Sequence, residues 1–233
     1  MKKATVILFL FFVSLTLSAQ QNGHGSFKGG GGYVFIGTDF IHTGSLDKTL
    51  RPHHLPEFGG TRNPFIFGGG GGAFINRFFY GGEGAGQIGL SASNEYYKSN
   101  IFGGYGLIHV GYAFVQHDSF VIYPTLGAGG GGATFRLEEG PLYAKDVNGL
   151  LLDPDTRLNT GYMLLKLGLN SDFFMGSNKS TTGGLMVGIE AGYKLAPLVS
   201  RWKYDDHRVQ ELDKFDPSGF YLRLKVGWAR SGS

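Results

Sequence analysis

Ser91, His109 and Glu83 are the nearest this sequence comes to the nucleophile, base and orienting carboxylate of a hydrolase. Their spacing matches no triad signature, and His109 reads more simply as a polar group satisfied by its neighbours. The stretch GAGQIG places Gly84, Gly86 and Gly89 in the spacing of a dinucleotide-binding turn. That turn requires a helix N-terminus to receive the pyrophosphate, and the LSASNEYYKS that follows has no helical period. His42, His53 and His54 form one potential metal set, and Asp146, Asn148, Asp153 and Asp155 another. The histidine pair is adjacent instead of one helical turn apart, and DVNGLLLDPD lacks the calcium-loop pattern. With no cysteine there is no thiolate ligand, cysteine nucleophile or disulfide. The expectation is a chain without catalysis, metal or cofactor.

A second set of polar residues says more because of where it sits. In GFYLRLKVGW, residues 219–228, Phe220, Leu222, Leu224, Val226 and Trp228 alternate with Tyr221, Arg223, Lys225 and Gly227. A period of two is that of a β-strand with one apolar and one polar face. The pattern recurs at Leu185, Val187, Ile189, Ala191 and Tyr193 against Glu190 and Lys194, and at Met163, Leu165, Leu167 and Leu169 against Tyr162 and Lys166. Nine residues at about 3.3 Å each suit the roughly 9 to 11 tilted residues that cross a bilayer. On this reading Glu83, His109, Lys166, Glu190, Lys194, Arg223 and Lys225 project into a shared interior as a polar lumen network. Glu190 is flanked by basic residues on both neighbouring strands, and basic groups outnumber acids.

Eight strands are predicted, over 27–40, 63–75, 78–90, 100–115, 119–136, 160–174, 183–195 and 218–230. Three connections are short: Asn76-Arg77, Gln116-His117-Asp118 and GSNKSTTG. Four are long, over 41–62, 91–99, 137–159 and 196–217, and carry most of the charge and proline. Without water in the hydrocarbon every strand edge must be paired, so the sheet must close. The fold class is therefore all-β: a closed, up-and-down, antiparallel, eight-stranded transmembrane barrel, with short turns in the periplasm and long loops outside.

The N-terminal MKKATVILFLFFVSLTLSA reads as a secretory signal peptide cut after Ala19, leaving a barrel domain over 20–233. Losing Lys2 and Lys3 lowers the formal charge from +3 to +1, so nucleic acid is not an expected partner. The Asn178 sequon has no weight in a bacterial exported protein. Phe74, Phe78, Phe79, Phe114, Phe120, Phe173 and Phe174 flank the three short turns, and Trp228 closes the last strand. Together they are expected to form a periplasmic aromatic girdle at headgroup depth. The 41 glycines concentrate in runs at 29–32, 68–72, 81–86, 103–104 and 127–132. They serve either tight barrel curvature or a smooth wall on strands two to five for a membrane-protein partner.

These strands and loops resemble the small eight-stranded outer-membrane barrels of the OmpA-transmembrane-domain and OmpX type, especially the glycine-rich barrels of Bacteroidota-like bacteria. The resemblance spans the mature chain and rests on architecture; where many members end on the terminal aromatic, ARSGS follows Trp228 here. It implies an outer-membrane location and a structural or interaction role through long external loops, with membrane lipid as the constant partner. A small-solute channel with a basic lumen and a lipid-modifying enzyme are the competing readings.

Overall fold

The computed structural model describes residues 28–117, 119–139, 156–175, 184–204, 207–209 and 212–232. Eight long strands form the wall: β1 (Lys28–His42), β2 (Phe65–Ile75), β3 (Phe78–Ser93), β4 (Tyr97–Tyr112), β5 (Phe120–Glu139), β6 (Thr156–Met175), β7 (Gly184–Val199) and β8 (Gly219–Gly232). Each pairs antiparallel with the next, and β8 returns to β1 over the register Lys28↔Gly232 to Ile41↔Gly219. The sheet is thus a closed up-and-down barrel whose long strands have no free edge.

The side chains sort by parity. Phe220 is 67% and Trp228 60% exposed on the outer face of β8, whereas Arg223 and Lys225 between them are 0% and 1% exposed. Leu165, Leu167 and Leu169 on β6, Leu185 and Ile189 on β7, and Val34 and Ile36 on β1 continue the exposed apolar wall. A contiguous apolar surface of this extent is not stable against water. Its solvent is hydrocarbon, and the barrel spans a membrane.

Two local devices set the register. Asn76, with φ 61°, and Arg77 make a two-residue turn that leaves Ile75 opposite Phe78; a positive φ matches the twist of a tight hairpin, and asparagine tolerates it. In β3 the pairing slips between Gln87 and Leu90, where Gly89 has φ 96°. That bulge keeps Leu90 facing inward after the slip. Gly84, Gly86 and Gly89 therefore lie within a strand, with no helix to receive a phosphate.

Three sequence expectations need correction. Residues 91–99 are not a long loop: β3 and β4 run on to a turn at 94–96, closed by Asn94 N donating to the Tyr97 carbonyl at 2.9 Å. The β4–β5 connection is not a bare turn, because Val115–His117 pairs back on Phe120–Ile122. Thirdly, Phe74 and Phe79 do not belong to a girdle: they point inward and pack with Ala113, Val121, Tyr123 and the half-buried Phe174 to fill the short-turn end of the lumen. Phe78, Phe173 and Trp228 do face outward, Phe120 lies beside Phe173 with the rings tilted at a centroid distance of 6.0 Å, and Phe114 is half-buried. The connection at 176–183 lies outside the described residues, as does Asp118.

Glycines occupy both faces of the wall, for different reasons. A Cβ on the inward Gly70 would stand 2.8 Å from the Tyr33 hydroxyl and 2.6 Å from the Gly82 carbonyl, and one on Gly81 2.7 Å from His109 Nε2. These glycines give up volume so that large rings and the charged network fit a narrow lumen. On the outward side a Cβ at Gly84 or Gly106 would meet nothing nearer than 3.8 Å and 3.9 Å. Gly70→Ala is therefore expected to cost about 1–3 kcal/mol by overpacking, while Gly84→Ala is neutral or gains up to about 1 kcal/mol. Urea midpoints read from the boiling-sensitive gel shift of the folded barrel check this; equal effects at the two sites contradict it.

Candidate functional site

The interior is built in three layers. At mid-depth, inward parity brings together all seven sequence-predicted lumen residues: Glu83 (β3), His109 (β4), Lys166 (β6), Glu190 and Lys194 (β7), and Arg223 and Lys225 (β8), each buried. Lys166 Nζ lies 2.7 Å from both Glu83 Oε2 and Glu190 Oε1. Arg223 donates to Glu83 Oε1 at 2.7 Å and to the Tyr105 hydroxyl, and lies 3.8 Å from Glu190 Oε2. The Tyr221 hydroxyl donates to Glu190 Oε1 at 2.8 Å. The Arg223 guanidinium also stands over the rings of Phe35 and Tyr221, at 4.6 Å and 4.4 Å from their centroids. Packing a planar cation between rings satisfies its faces while the carboxylates satisfy its edge.

Two acids that the sequence reading left out complete this layer. Asp39 on β1 receives Lys194 Nζ and, at 3.1 Å, Gln87 Nε2. Asp172 on β6 lies 2.7 Å from Lys225 Nζ and accepts from the Tyr123 hydroxyl at 2.6 Å; Lys225 also donates to Asn170 Oδ1 at 2.8 Å. Lys166, Lys194, Arg223 and Lys225 thus face Glu83, Glu190, Asp39 and Asp172, four cations to four carboxylates. Among the described residues the lumen carries no excess of basic groups. Both acids sit at inward parity within the predicted strands 27–40 and 160–174, so the signal was present in the alternation.

His109 does not join the ion pairs closely. Its Nδ1 is 3.7 Å from Glu83 Oε2, beyond hydrogen-bond distance, and its ring stacks on Phe79 at 5.4 Å. Ser91 is exposed and pairs with Asn100, while His109 and Glu83 face the lumen. The three residues are thus not brought together as a triad. On the loops, His42 Nδ1 sits 3.0 Å from the Thr61 hydroxyl, and His53 and His54 lie at the 3₁₀ turn Arg51–His53. Asp146, Asn148, Asp153 and Asp155 lie outside the described residues.

Above the charges the long-loop end is filled by apolar side chains. Helix α1 (Gly44–Leu50) inserts Leu46 and Leu50, and Phe58, Trp202 and Phe215 follow from the loops, all at most 1% exposed. They pack against Ile101, Tyr105, Phe135, Leu158 and Tyr162 at the strand ends. One carboxylate organises the first of these loops. Asp47 accepts from the amides of Phe58 (2.6 Å), Gly59 (3.0 Å) and Gly60 (2.9 Å) and from the Thr43 hydroxyl (3.1 Å). Gly59 and Gly60, at φ 80° and 85°, aim their amides at it. In the second loop Trp202 Nε1 donates to the Asp213 carbonyl at 2.9 Å. At the exposed rim Arg51 makes a two-pronged bond to Glu57, at 3.0 Å and 2.8 Å, and this bond holds the Glu57 carboxyl below its ordinary range.

A buried ion pair broken on one side typically costs about 3–5 kcal/mol. Glu83→Gln, which leaves Lys166 and Arg223 to share Glu190, is expected to lower barrel stability by that order. Lys48→Gln on the exposed face of α1 should stay within about 0.5 kcal/mol. Urea unfolding in phosphatidylcholine vesicles compares the two, and a Glu83 variant as stable as the Lys48 variant contradicts the network.

No known family model matches this chain, and no curated protein matches it. Among solved structures it is similar to Ail, the attachment invasion locus protein of Yersinia pestis, at 13% identity over 89% of this chain and 100% of that one, TM-score 0.43. It is similar also to Ail in complex with the heparin analogue sucrose octasulfate, at 14% identity over 89% of this chain and 100% of that one, TM-score 0.42. A third is Neisserial surface protein A, at 12% identity over 88% of this chain and 97% of that one, TM-score 0.39.

Proposed function

We propose that the chain is a bacterial outer-membrane barrel that neither conducts nor catalyses, and that works as an interaction protein by holding folded loops above the outer leaflet. The apolar lid at the long-loop end carries this reading. Trp202, Phe58 and Phe215 are buried at the strand ends with Leu46 and Leu50 of α1, so the connection at 43–64 and the described part of the one at 200–218 share the barrel's own core. Loops placed this firmly lose little further entropy when a partner binds, which is what an interaction surface gains from a rigid scaffold. Asp47 and its ring of amides give the first loop a fixed shape, and Arg51, His53, His54 and Glu57 stand exposed upon it.

A channel would need a continuous wet path. The lumen instead passes from an aromatic cluster through a charge-matched layer to an apolar lid. Matched charge of this kind favours a strut over a selective pore, because no uncompensated field draws one sign of ion. For catalysis, the separation of Ser91 from His109 and Glu83 removes the best nucleophile set the sequence offered.

Planar-bilayer recording on the refolded full chain tests the sealed lumen. The expected trace shows no discrete open-channel steps. Reproducible steps with a fixed unit conductance overturn the reading in favour of a pore.

A further inference from the structure

The upper end of β7 bulges. Met163 pairs with Leu198 and Leu165 with Leu195, so β7 takes three steps where β6 takes two. The extra residue falls at Ala196-Pro197, and proline, with no amide to donate, suits a break in the ladder. The return segment to β8 is tied to this break, because Ala196 N donates to Ser218 Oγ at 2.9 Å. On the outer wall the bulge leaves an open hollow of about 370 Å³ against Gly161, Met163, Pro197 and Leu198. A Cβ on Gly161 would meet nothing nearer than 3.7 Å, so part of its floor is bare backbone.

A second hollow, of about 520 Å³, adjoins the first at Pro197, Val199 and Lys214. Arg201, Asp213, Lys214 and Asp216 line it. All four are exposed, and among the described residues none of them is in an ion pair. Asp216 Oδ1 accepts from Ser218 N at 2.9 Å, which fixes its carboxylate at the rim. On the outer face of β6 the apolar run Leu165, Met163 passes through Gly161 to the exposed Asn159. The first hollow therefore lies at the top of the hydrocarbon band, and the charged one among the headgroups. A water-soluble solute would leave the lower hollow unfilled, whereas an amphiphile matches both.

We propose that the paired hollows seat a membrane lipid whose headgroup bears both a phosphate and a primary ammonium, with an acyl chain lying on Gly161 between Met163 and Leu198. Two cations and two carboxylates around one hollow are complementary to a headgroup of both signs. Arg201 and Lys214 donate to the phosphate oxygens, and the ammonium donates to Asp213 and Asp216, all as charge-assisted hydrogen bonds. A quaternary ammonium has no N–H to give the carboxylates. A headgroup with phosphate alone leaves two acids facing an anion.

The proposal rests on the membrane reading above, and its test keeps the two apart. The full chain is refolded into vesicles of phosphatidylethanolamine, phosphatidylglycerol and phosphatidylcholine in equal parts, with matched acyl chains. Insertion is scored by the boiling-sensitive gel shift, and retained lipid by native mass spectrometry after detergent extraction. The parent should retain phosphatidylethanolamine in preference to the other two. Arg201→Gln/Lys214→Gln should insert normally but retain roughly thirtyfold less. Asp213→Asn/Asp216→Asn, which keeps an acceptor for Ser218 N, should lose the preference. Gly161→Leu, whose side chain fills the lower hollow, should retain roughly tenfold less. A control at two other exposed cations, Lys48→Gln/Lys98→Gln, should match the parent. Millimolar glycerophosphoethanolamine should not displace the lipid.

Equal retention of the three lipids, or preference for either of the other two, overturns the proposal. So does a control that loses as much as the Arg201/Lys214 variant, and so does full retention by Gly161→Leu. Displacement by glycerophosphoethanolamine overturns it in favour of a site for the soluble headgroup. Failure of the parent chain to insert sinks the membrane reading itself.

Discussion

The structure depends on one constraint: the outer face of every long strand meets hydrocarbon, which offers no hydrogen-bond partner to a backbone amide or carbonyl. Closure follows, because an unpaired edge in that medium costs several kcal/mol per polar group. The β1–β8 register completes the ring and satisfies the last edges. Closing a ring of eight strands makes the lumen too narrow for bulk water and just wide enough for side chains. From there the interior has to be solved as a packing and charge problem, and the glycines facing Tyr33 and His109 are part of that solution.

The balanced lumen is the second consequence. Four carboxylates and four cations, braced by Tyr105, Tyr123 and Tyr221, replace the greasy core of a soluble protein. An unpaired member there would be a buried charge with no water to solvate it, so each acid has its base. The long-range pairs Glu83–Arg223 and Asp39–Lys194 also cross the barrel between strands that share no hydrogen bonds. They tie together strands that are not neighbours in the sheet, much as a core would. The loops finish the interior from above, and the firmness of their surface comes from this inward anchoring.

Much of this was legible in the sequence, for a physical reason. With hydrocarbon outside and charge inside, the alternation on β6, β7 and β8 is nearly error-free, so strands and lumen residues could be read directly. Phe74, Phe79 and Phe174 were wrongly counted in the aromatic girdle because rings were grouped by closeness to turns. Adjacent residues such as Phe78 and Phe79, or Phe173 and Phe174, must face opposite ways, and Phe74, paired with Phe79, had to follow it inward. Strict parity would also have found Asp172, two residues past Asn170 on the lumen side. The lid was not legible at all. Trp202, Phe215 and Phe58 sit in irregular segments without period, and the amide ring around Asp47 depends on the backbone angles of Gly59 and Gly60.

The two tryptophans offer a direct measurement of where hydrocarbon lies. Trp228 faces outward on β8, and Trp202 is sealed in the lid. In vesicles of phosphatidylcholine brominated along the acyl chains, fluorescence of the Trp202→Phe variant, which reports Trp228 alone, should be strongly quenched. The Trp228→Phe variant should keep most of its emission. Unquenched Trp228 in an inserted, boiling-sensitive barrel would contradict the assignment of the apolar stripe to lipid.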